Sequence, residues 1–401
     1  MSNLWIEVDL DGVIHNYKQI KSRLTPDCAL MAVVKADAYG LGAVEVAKAL
    51  QEEGCNDFAV TTVSEAAILC RQGITGRILV LGPSSPEDWA EAVTTGIELT
   101  VSQLSWIPAL DEIASQLGNK ALVQLKLETG MGLTGFTVEK IAELAEVLGQ
   151  TSNIEIVGAY THLARGAQRD HSYTRIQYEK YLTYLKELEE LGVSIPLKHI
   201  CNSAAFLDYP QYHLNMVRIG TLLGGHFPSS AFEGKLELKD PWAVKTRILH
   251  LQRVPRGTYV GYQGLYKSKR ETTLAVVPVG YADGFGVEPK LIPQGIVDLG
   301  KIIIKNIAAL FGFQLGREKM LLNGKTVNVA GKIGMQLTVL DVGELTCQLN
   351  DEITIPIRRA FANPRIPRIY KRNGKFFKKR IIQEGFSFLN KEYFNMPILP
   401  E

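Results

Sequence analysis

Residues 29–42 have the sequence ALMAVVKADAYGLG, which contains the first indication of the fold. A short apolar run ends at Lys35, and after a pair of glycines the apolar residues of Ala43–Glu52 recur every three or four positions. A buried strand followed by an amphipathic helix is the unit from which parallel sheets are built. The stretch therefore predicts an α/β protein if the same unit recurs along the chain.

The unit does recur. Eight apolar runs are predicted as strands: Ala29–Lys35, Phe58–Thr62, Arg77–Leu81, Glu98–Val101, Ala121–Glu128, Ile154–His162, Leu197–Asn202 and Met216–Gly220. Eight strand–helix units match a (β/α)8 barrel, although an open, doubly wound sheet shows the same local pattern. Several predicted strands end in chemically capable side chains, namely Lys35, Glu128, His162, Asn202 and Arg218. This placement favours an N-terminal TIM barrel, because barrels build active sites at the C-terminal ends of their strands.

The second part of the chain is rich in short β-type runs. The predicted strands there are Lys245–Val254, Thr273–Val279, Ile296–Leu299, Lys325–Val329 and Glu352–Ile357. We therefore predict a barrel domain at residues 1–238, whose first strand pairs with the second domain, and a mostly β C-terminal domain at residues 239–401.

A basic hairpin and a tail are predicted at the end of the chain. Asn373-Gly374 separates Pro367–Arg372 from Lys375–Ile382, and Asn-Gly is a strong hairpin signal. Lysines and arginines surround Phe376 and Phe377, a pattern that can also bind RNA or an anionic membrane. Basic residues that protect the edge of a hairpin explain the same pattern more simply.

Composition excludes several classes of protein. The 44 basic and 42 acidic residues give a net charge of +2, which does not predict nucleic acid as a partner. Five scattered cysteines without a C-x-x-C pair fit reduced thiols, and no histidine or cysteine cluster has metal-binding spacing. No signal peptide and no apolar run of about 18 residues is present. The sequence predicts a cytoplasmic protein without a metal or membrane partner.

Lys35 is the first candidate for catalysis. A lysine at the end of a buried strand suits Schiff-base chemistry with an aldehyde such as pyridoxal phosphate. The alternative is a lysine whose stem is buried and whose amine reaches water. Gly40-x-Gly42 does not complete a dinucleotide-binding motif, because Glu45 occupies the third glycine position and its carboxylate would oppose a pyrophosphate.

A second candidate site follows the last two barrel strands. Barrels often bind phosphate there, and Ser203 and Gly220 offer a hydroxyl and close backbone approach. The alternative is a helix-capping serine and an ordinary turn glycine. Arg218 does not give up its proton, so facing a pyridoxal ring nitrogen it would leave that nitrogen unprotonated. Its alternative is an ion pair with a carboxylate at the barrel rim.

These segments resemble the alanine racemases, pyridoxal phosphate enzymes with an N-terminal barrel and a C-terminal β domain. The matching segments include Val33–Gly42, Lys126–Gly135, Met216–Gly220, Val260–Tyr262, Val277–Gly284 and Gly331–Asp341. The resemblance implies that Lys35 is the Schiff-base lysine and one catalytic base. It also implies roles in cofactor binding: Tyr39, Ser203 and Gly220 bind the phosphate, Arg218 binds the ring nitrogen, and His162 and Asn202 support them.

Inversion of a stereocentre needs a base on each face of the carbon, so a second base is required. The resemblance implies that this base is Tyr262, which would reach the barrel site of the other subunit of a homodimer. It also implies that Tyr281 and Met335 line the substrate pocket. We expect His162, held by Arg218, to supply the cation or hydrogen bond that activates Tyr262. The alternative for Tyr262 is a half-buried strand tyrosine.

The chain departs from the family at two positions near the substrate. Leu133 stands where the family usually has an arginine, and Gln336 stands where an aspartate is common. The family's arginine is oriented by a carbamylated lysine at the position of Lys126. We therefore expect Lys126 to remain an ammonium that faces the phenolic oxygen of pyridoxal 5'-phosphate.

The resemblance implies interconversion of L-alanine and D-alanine, and hence D-alanine biosynthesis, by an isomerase. Two alternatives stay open. One is a racemase of other amino acids, and the other is a pyridoxal phosphate-binding protein with little or no catalysis.

Overall fold

The structure is a computed structural model that describes residues 2–168, 170–287, 296–310 and 320–381. Contacts divide these residues into two compact units. The barrel unit contains residues 9–168, 170–241 and 371–375. The β unit contains residues 2–8, 242–287, 296–310, 320–370 and 376–381.

The first strand, β1 (Leu4–Asp9), belongs to the sheet of the β unit, and the next eight strands form the barrel. The barrel strands are β2 (Ala29–Val33), β3 (Asp57–Val60), β4 (Arg77–Val80), β5 (Glu98–Val101), β6 (Ala121–Lys126), β7 (Ile154–Tyr160), β8 (Leu197–His199) and β9 (Met216–Ile219). They pair in parallel in the order β8-β7-β6-β5-β4-β3-β2-β9. The backbone amide of Arg218 donates to the carbonyl of Cys201 (3.0 Å), so β9 lies next to β8 and the ring is nearly closed. The predicted barrel is confirmed.

Helices connect the strands. They span Leu10–Lys21, Ala43–Glu52, Val63–Arg71, Pro86–Thr95, Trp106–Leu117, Ile141–Gly149, Ser172–Glu190 and Ser203–Asp208. A cluster of buried side chains, which includes Met31, Leu79, Tyr160 and Met216, packs between the strands. Parallel strands buried on both faces need continuous apolar runs, which explains why these strands were visible in the sequence.

The β unit contains a ten-stranded sheet. Its strands after β1 are β10 (Trp242–Arg247), β11 (His250–Val254), β14 (Thr272–Val277), β15 (Met320–Leu322), β16 (Lys325–Val329), β17 (Thr338–Gly343), β18 (Glu352–Ile355), β19 (Arg368–Arg372) and β20 (Lys375–Arg380), in the order β11-β14-β17-β16-β15-β18-β10-β1-β19-β20. Two short strands, β12 (Tyr259–Val260) and β13 (Tyr266–Lys267), form a separate ribbon. β1 pairs antiparallel with β10, and Leu4 lies opposite Thr246.

Two strand predictions in this unit were wrong. Ile296–Leu299 is the first turn of a helix, Ile296–Leu310, because apolar residues continue at helical spacing beyond the four residues considered. The segment Lys245–Val254 is divided between β10 and β11, which are not neighbours in the sheet.

The hairpin prediction was correct. β19 and β20 are neighbours, and Asn373 (φ 51°) and Gly374 (φ 69°) are both left-handed, as a tight turn of this type requires. The end of the predicted second strand, Ile382, and the predicted tail beyond it lie outside the described residues. Within the part of the chain that the structure describes, no helix is both long and apolar enough to cross a membrane.

Candidate active site

Lys35 begins a turn of left-handed backbone at the C-terminal end of β2. Four consecutive non-glycine residues have positive φ: Ala36 (49°), Asp37 (56°), Ala38 (53°) and Tyr39 (56°). Left-handed backbone costs roughly 1–2 kcal/mol for each such residue. Strained backbone of this kind is concentrated at functional sites. This turn is not evident from the sequence, although Gly40 and Gly42, which follow it, are a partial signal.

Two carboxylates hold the left-handed turn. Glu65, on the next helix but one, accepts a hydrogen bond from the backbone amide of Ala36 (2.7 Å). Asp37 accepts one from the amide of Ala43 (2.9 Å), at the start of the following helix. Tertiary contacts therefore offset the strain, and the turn carries Lys35 and Tyr39 into fixed positions at the barrel rim.

Tyr39 packs directly against Gly220, after the end of β9. A Cβ atom on Gly220 would lie 2.3 Å from the Tyr39 hydroxyl oxygen, so only glycine fits there. The amide of Gly220 donates to Oγ of Ser203 (3.3 Å). Burial raises the pKa of Tyr39, so its hydroxyl keeps its proton and can donate. Tyr39, Ser203 and Gly220 thus form one cluster, which we call the rim cradle.

The capping alternative for Ser203 was wrong. The helix Ser203–Asp208 is capped by Asn202, whose side-chain oxygen accepts from the amides of Ala204 and Ala205 (both 3.1 Å). Because Asn202 performs the capping, the hydroxyl of Ser203 points to the rim cradle. Asn202 supports the cradle by fixing the start of this helix.

Arg218 is buried (4% exposed) and is held by neutral acceptors. Its guanidinium donates to Nδ1 of His199 (2.9 Å), to the carbonyl of Thr161 (2.7 Å) and, at 3.4 Å, to Nδ1 of His162. It also lies over the ring of Tyr160, 4.9 Å from the centroid. Among the described residues no carboxylate forms an ion pair with Arg218, so the alternative of an ion pair at the barrel rim was wrong.

Lys126 and His162 lie in the same positive environment. Burial and the charge of Arg218 lower the pKa of Lys126 to about 8, and Lys35 adds to this effect. The amine of Lys126 lies 4.7 Å from the centroid of the Tyr160 ring. Burial, Arg218 and Lys126 lower the pKa of His162 to about 3. His162 is therefore neutral near pH 7, which leaves a hydrogen bond rather than a cation as the way it would activate Tyr262. That hydrogen bond stays a prediction.

The loop of residues 128–133, which contains Leu133, wraps around the carboxylate of Glu128. Glu128 accepts hydrogen bonds from the four consecutive amides of residues 130–133, which lower its pKa despite its partial burial. Leu133 at the end of this loop is 73% exposed. The loop is thus held in place by Glu128, while the side chain of Leu133 contributes no charge.

The remaining candidates lie on three adjoining loops of the β unit. Tyr262 is 73% exposed in a short turn after β12, so it is not a half-buried strand tyrosine. The amide of Tyr281 donates to the carbonyl of Gly334 (3.0 Å), and the amide of Ala282 donates to that of Met335 (3.0 Å). A Cβ on Gly331 would lie 2.9 Å from the carbonyl oxygen of Val260. We call residues 260–264, 280–284 and 331–335 the loop cluster.

The nearly closed parallel barrel has at one end a lysine on a strained turn, two hydroxyls beside a close-approach glycine and an arginine for which the described residues provide no carboxylate. Polar groups gathered at the C-terminal ends of the strands are typical of a barrel enzyme. Comparison with known proteins identifies the family. The model of the alanine racemase N-terminal domain matches residues 8–228, and that of the C-terminal domain matches residues 242–366. The chain belongs to the alanine racemase family, and it is an isomerase.

Individual relatives cover nearly the whole chain. Alanine racemase 2 of Caldanaerobacter subterraneus is 36% identical over 352 residues, which are 87% of this chain and 84% of that protein. The alanine racemase of Clostridium tetani is 35% identical over 92% of this chain and 96% of its own. Among solved structures, the alanine racemase of Clostridium difficile superimposes with a TM-score of 0.84 at 31% identity, covering 95% of this chain and 99% of that one. The Bacillus anthracis enzyme with bound L-Ala-P has a TM-score of 0.82 at 29% identity, with 95% and 98% covered.

Proposed function

We propose that this racemase interconverts L-alanine and D-alanine with pyridoxal 5'-phosphate as its cofactor. The observation that carries the proposal is the rim cradle beside Lys35. At Gly220 the structure leaves no space for a Cβ atom, and two hydroxyls, those of Tyr39 and Ser203, meet there. Hydroxyls and close backbone suit a phosphate, and the adjacent Lys35 suits an aldehyde.

The other buried residues also fit this cofactor. When bound through Lys35, it supplies an electron sink that makes the α-hydrogen of an amino acid acidic. Arg218 only donates hydrogen bonds, so it would hold the ring nitrogen in its unprotonated form. Lys126 would face the phenolic oxygen, in keeping with its position beside Tyr160 and Arg218.

Two bases of this protein would move the α-proton. The amine of Lys35 acts on one face of the carbon, and the phenol of Tyr262 acts on the opposite face. In the direction from L to D, Tyr262 takes the proton and Lys35 delivers one; the roles exchange in the reverse direction. Tyr281 and Met335 would then border the bound amino acid.

A homodimer is part of the proposal, with the base provided as Tyr262 of the partner subunit. The support is the exposure of the loop cluster and its surroundings. Tyr259, Tyr262, Leu265, Met335 and Leu337 are all exposed in the single chain. Large apolar side chains exposed together on adjoining loops are typical of interaction sites, and a second copy of the chain would cover them.

The function is tested by exchange of the α-hydrogen. The purified protein is incubated in D₂O with a panel of amino acids that includes both enantiomers of alanine, and deuterium incorporation and chirality are measured. The control variant is Lys48→Ala, which removes an exposed lysine of the following helix. We expect the wild type and Lys48→Ala to racemise alanine, and Lys35→Ala to lose about 10³-fold or more in rate.

The other results are equally informative. Exchange with amino acids other than alanine would replace the substrate assignment. Bound cofactor without exchange on any amino acid would show a binding protein. Borohydride reduction followed by peptide mass analysis should place the cofactor on Lys35, and its attachment elsewhere would contradict the proposal.

A further inference from the structure

A chain of hydrogen-bonded side chains crosses the interior of the barrel and ends at Arg218. The guanidinium of Arg218 donates to Nδ1 of His199 (2.9 Å), and Nε2 of His199 lies 2.5 Å from Oε1 of Gln124. Nε2 of Gln124 donates to Oε2 of Glu98 (2.5 Å), and Nε of Arg77 donates to Oε1 of Glu98 (2.6 Å). Gln124 and His199 are completely buried (0% exposed). We call Arg218, His199, Gln124 and Glu98 the interior relay.

The interior relay joins the two ends of the barrel. Glu98 is the first residue of β5, Gln124 lies inside β6, and His199 is the last residue of β8. Since all strands are parallel, Glu98 lies at the N-terminal end of the barrel and His199 lies at the C-terminal end, where the rim cradle is found. Residues at the N-terminal end of a barrel ordinarily serve stability alone. Glu98 is connected to the candidate active site by three hydrogen bonds.

The direction of each hydrogen bond in the relay is determined by its two ends. A guanidinium can only donate, so Nδ1 of His199 must accept and its proton must be on Nε2. That N–H needs an acceptor, which orients the oxygen of Gln124 towards His199 and its NH₂ group towards Glu98. An ionised carboxylate can only accept, which matches the ion pair of Glu98 with Arg77.

The competing arrangement is costly because the relay is buried. A proton on Nδ1 of His199 would oppose the N–H groups of Arg218, and a buried donor without an acceptor costs about 1–3 kcal/mol. The doubly protonated form is also disfavoured, because burial and the charge of Arg218 keep the pKa of His199 well below its ordinary value. His199 therefore has one stable form while Gln124 and Glu98 are in place.

We propose that Gln124 and Glu98 are positioning residues of this racemase, which hold His199 with its proton on Nε2 and thereby fix the orientation of the Arg218 guanidinium towards the cofactor ring. The last step rests on the proposed function. The tautomer of His199 does not, because it follows from contacts within the barrel unit alone.

The first measurement is the tautomer of His199 in the unmodified protein, by ¹⁵N NMR of labelled histidine, with the signal assigned from a His199→Asn variant. We expect the proton on Nε2 both with and without pyridoxal 5'-phosphate. A proton on Nδ1 in the wild type would overturn the proposal directly.

The second measurement compares two buried amides. Gln124→Met removes the link while keeping the side-chain volume, and Asn16→Leu is the control. Asn16 is also completely buried and hydrogen-bonded, to the carbonyls of Leu223 and Lys239, but it does not belong to the relay. In Gln124→Met we expect a mixture of His199 tautomers, a shifted cofactor absorption spectrum, and a kcat about tenfold lower with little change in KM. Asn16→Leu should lose stability but keep the tautomer, the spectrum and the pH profile of kcat.

A pair of variants at the far end of the relay completes the test. In Glu98→Gln an oxygen still accepts from Gln124, so the tautomer and spectrum should be retained, whereas Glu98→Leu should behave as Gln124→Met does. Unchanged tautomer, spectrum and kcat in both Gln124→Met and Glu98→Leu would refute the positioning role. If the wild type binds no cofactor, the proposed function fails, while the tautomer in the cofactor-free protein still decides whether the relay operates.

Discussion

The barrel rim and the loop cluster of the β unit contribute candidate residues of very different character. At the rim Arg218 and Ser203 are buried and Lys35 and Tyr39 half-buried, and hydrogen bonds or close packing place the residues around Lys35. In the loop cluster Tyr262, Tyr281 and Met335 are exposed, and the backbone of residues 281, 282, 334 and 335 makes the hydrogen bonds between two of its loops. Contacts within one chain therefore fix the residues of the rim. The exposed side chains of the loop cluster are the ones that the proposed homodimer would bring to the site of the other subunit.

The strongest test of this contrast is Tyr262→Phe. Because general acid–base groups contribute about 10²–10⁴-fold, loss of the phenol should lower racemisation about 10³-fold. Removal of α-hydrogen from L-alanine should suffer more than removal from D-alanine, since Lys35 would still act on the other face. The matched control is Tyr259→Phe, an equally exposed tyrosine of the preceding strand. Normal rates in Tyr262→Phe would remove the two-base proposal.

Gly220→Ala tests the rim by overpacking it. The new methyl group would lie 2.3 Å from the Tyr39 hydroxyl oxygen and would displace the ring. Overpacking costs about 1–3 kcal/mol, so the affinity for pyridoxal 5'-phosphate should fall about 30-fold. Gly149→Ala, at the end of a surface helix where a Cβ meets no atom within 4 Å, is the control. Titration followed by cofactor fluorescence measures the affinity of both variants for pyridoxal 5'-phosphate. An equal affinity in the two variants would contradict the role of the rim cradle in binding the phosphate.

The lowered pKa of Lys126 makes the stability of the folded protein depend on pH. Its folded-state pKa of about 8 lies below the ordinary 10.5, so between these pH values the unfolded chain binds more protons than the folded chain. The charged amine therefore costs stability below pH 8, and this cost disappears as the pH rises towards 10.5. Without cofactor, Lys126→Met should be more stable than the wild type at pH 7 by up to about 3 kcal/mol.

Urea unfolding at several pH values checks this prediction. The advantage of Lys126→Met should shrink steadily between pH 8 and 10.5. Lys48→Met, which alters an exposed lysine, should show no advantage at any pH. A constant difference across the pH range would mean that Lys126 is not the group responsible.

The smallest expected effect concerns carbon dioxide. Lys126 should carry no carbamate, because Leu133 provides no cation to pair with one. Removal of dissolved CO₂ should leave kcat unchanged, and ¹³C NMR after addition of labelled bicarbonate should show no carbamate signal. Leu133→Arg is the complementary variant, in which a carbamate signal should appear. A carbamate in the wild type would show that the leucine does not prevent this modification.

Much of the fold was predictable because it depends on local pattern. The eight barrel strands appeared as mainly apolar runs, since strands buried on both faces carry few polar residues. The residues of the interior relay are exceptions. The tight turn at Asn373-Gly374 was predictable because few residues tolerate two successive left-handed conformations. The helix Ile296–Leu310 was missed because four apolar residues, taken alone, fit a strand as well as a helix.

The residue types of the candidate site were also predictable from the sequence. A lysine, an arginine or a glycine at the end of a buried strand indicates a functional site even without knowledge of its neighbours. The three-dimensional contacts decided the rest. The left-handed turn after Lys35 depends on Glu65, 29 residues away, and the tautomer of His199 depends on Gln124, 75 residues away. Backbone strain and the position of a proton both depend on interactions between residues that are distant in the sequence. A short window of sequence therefore does not predict them.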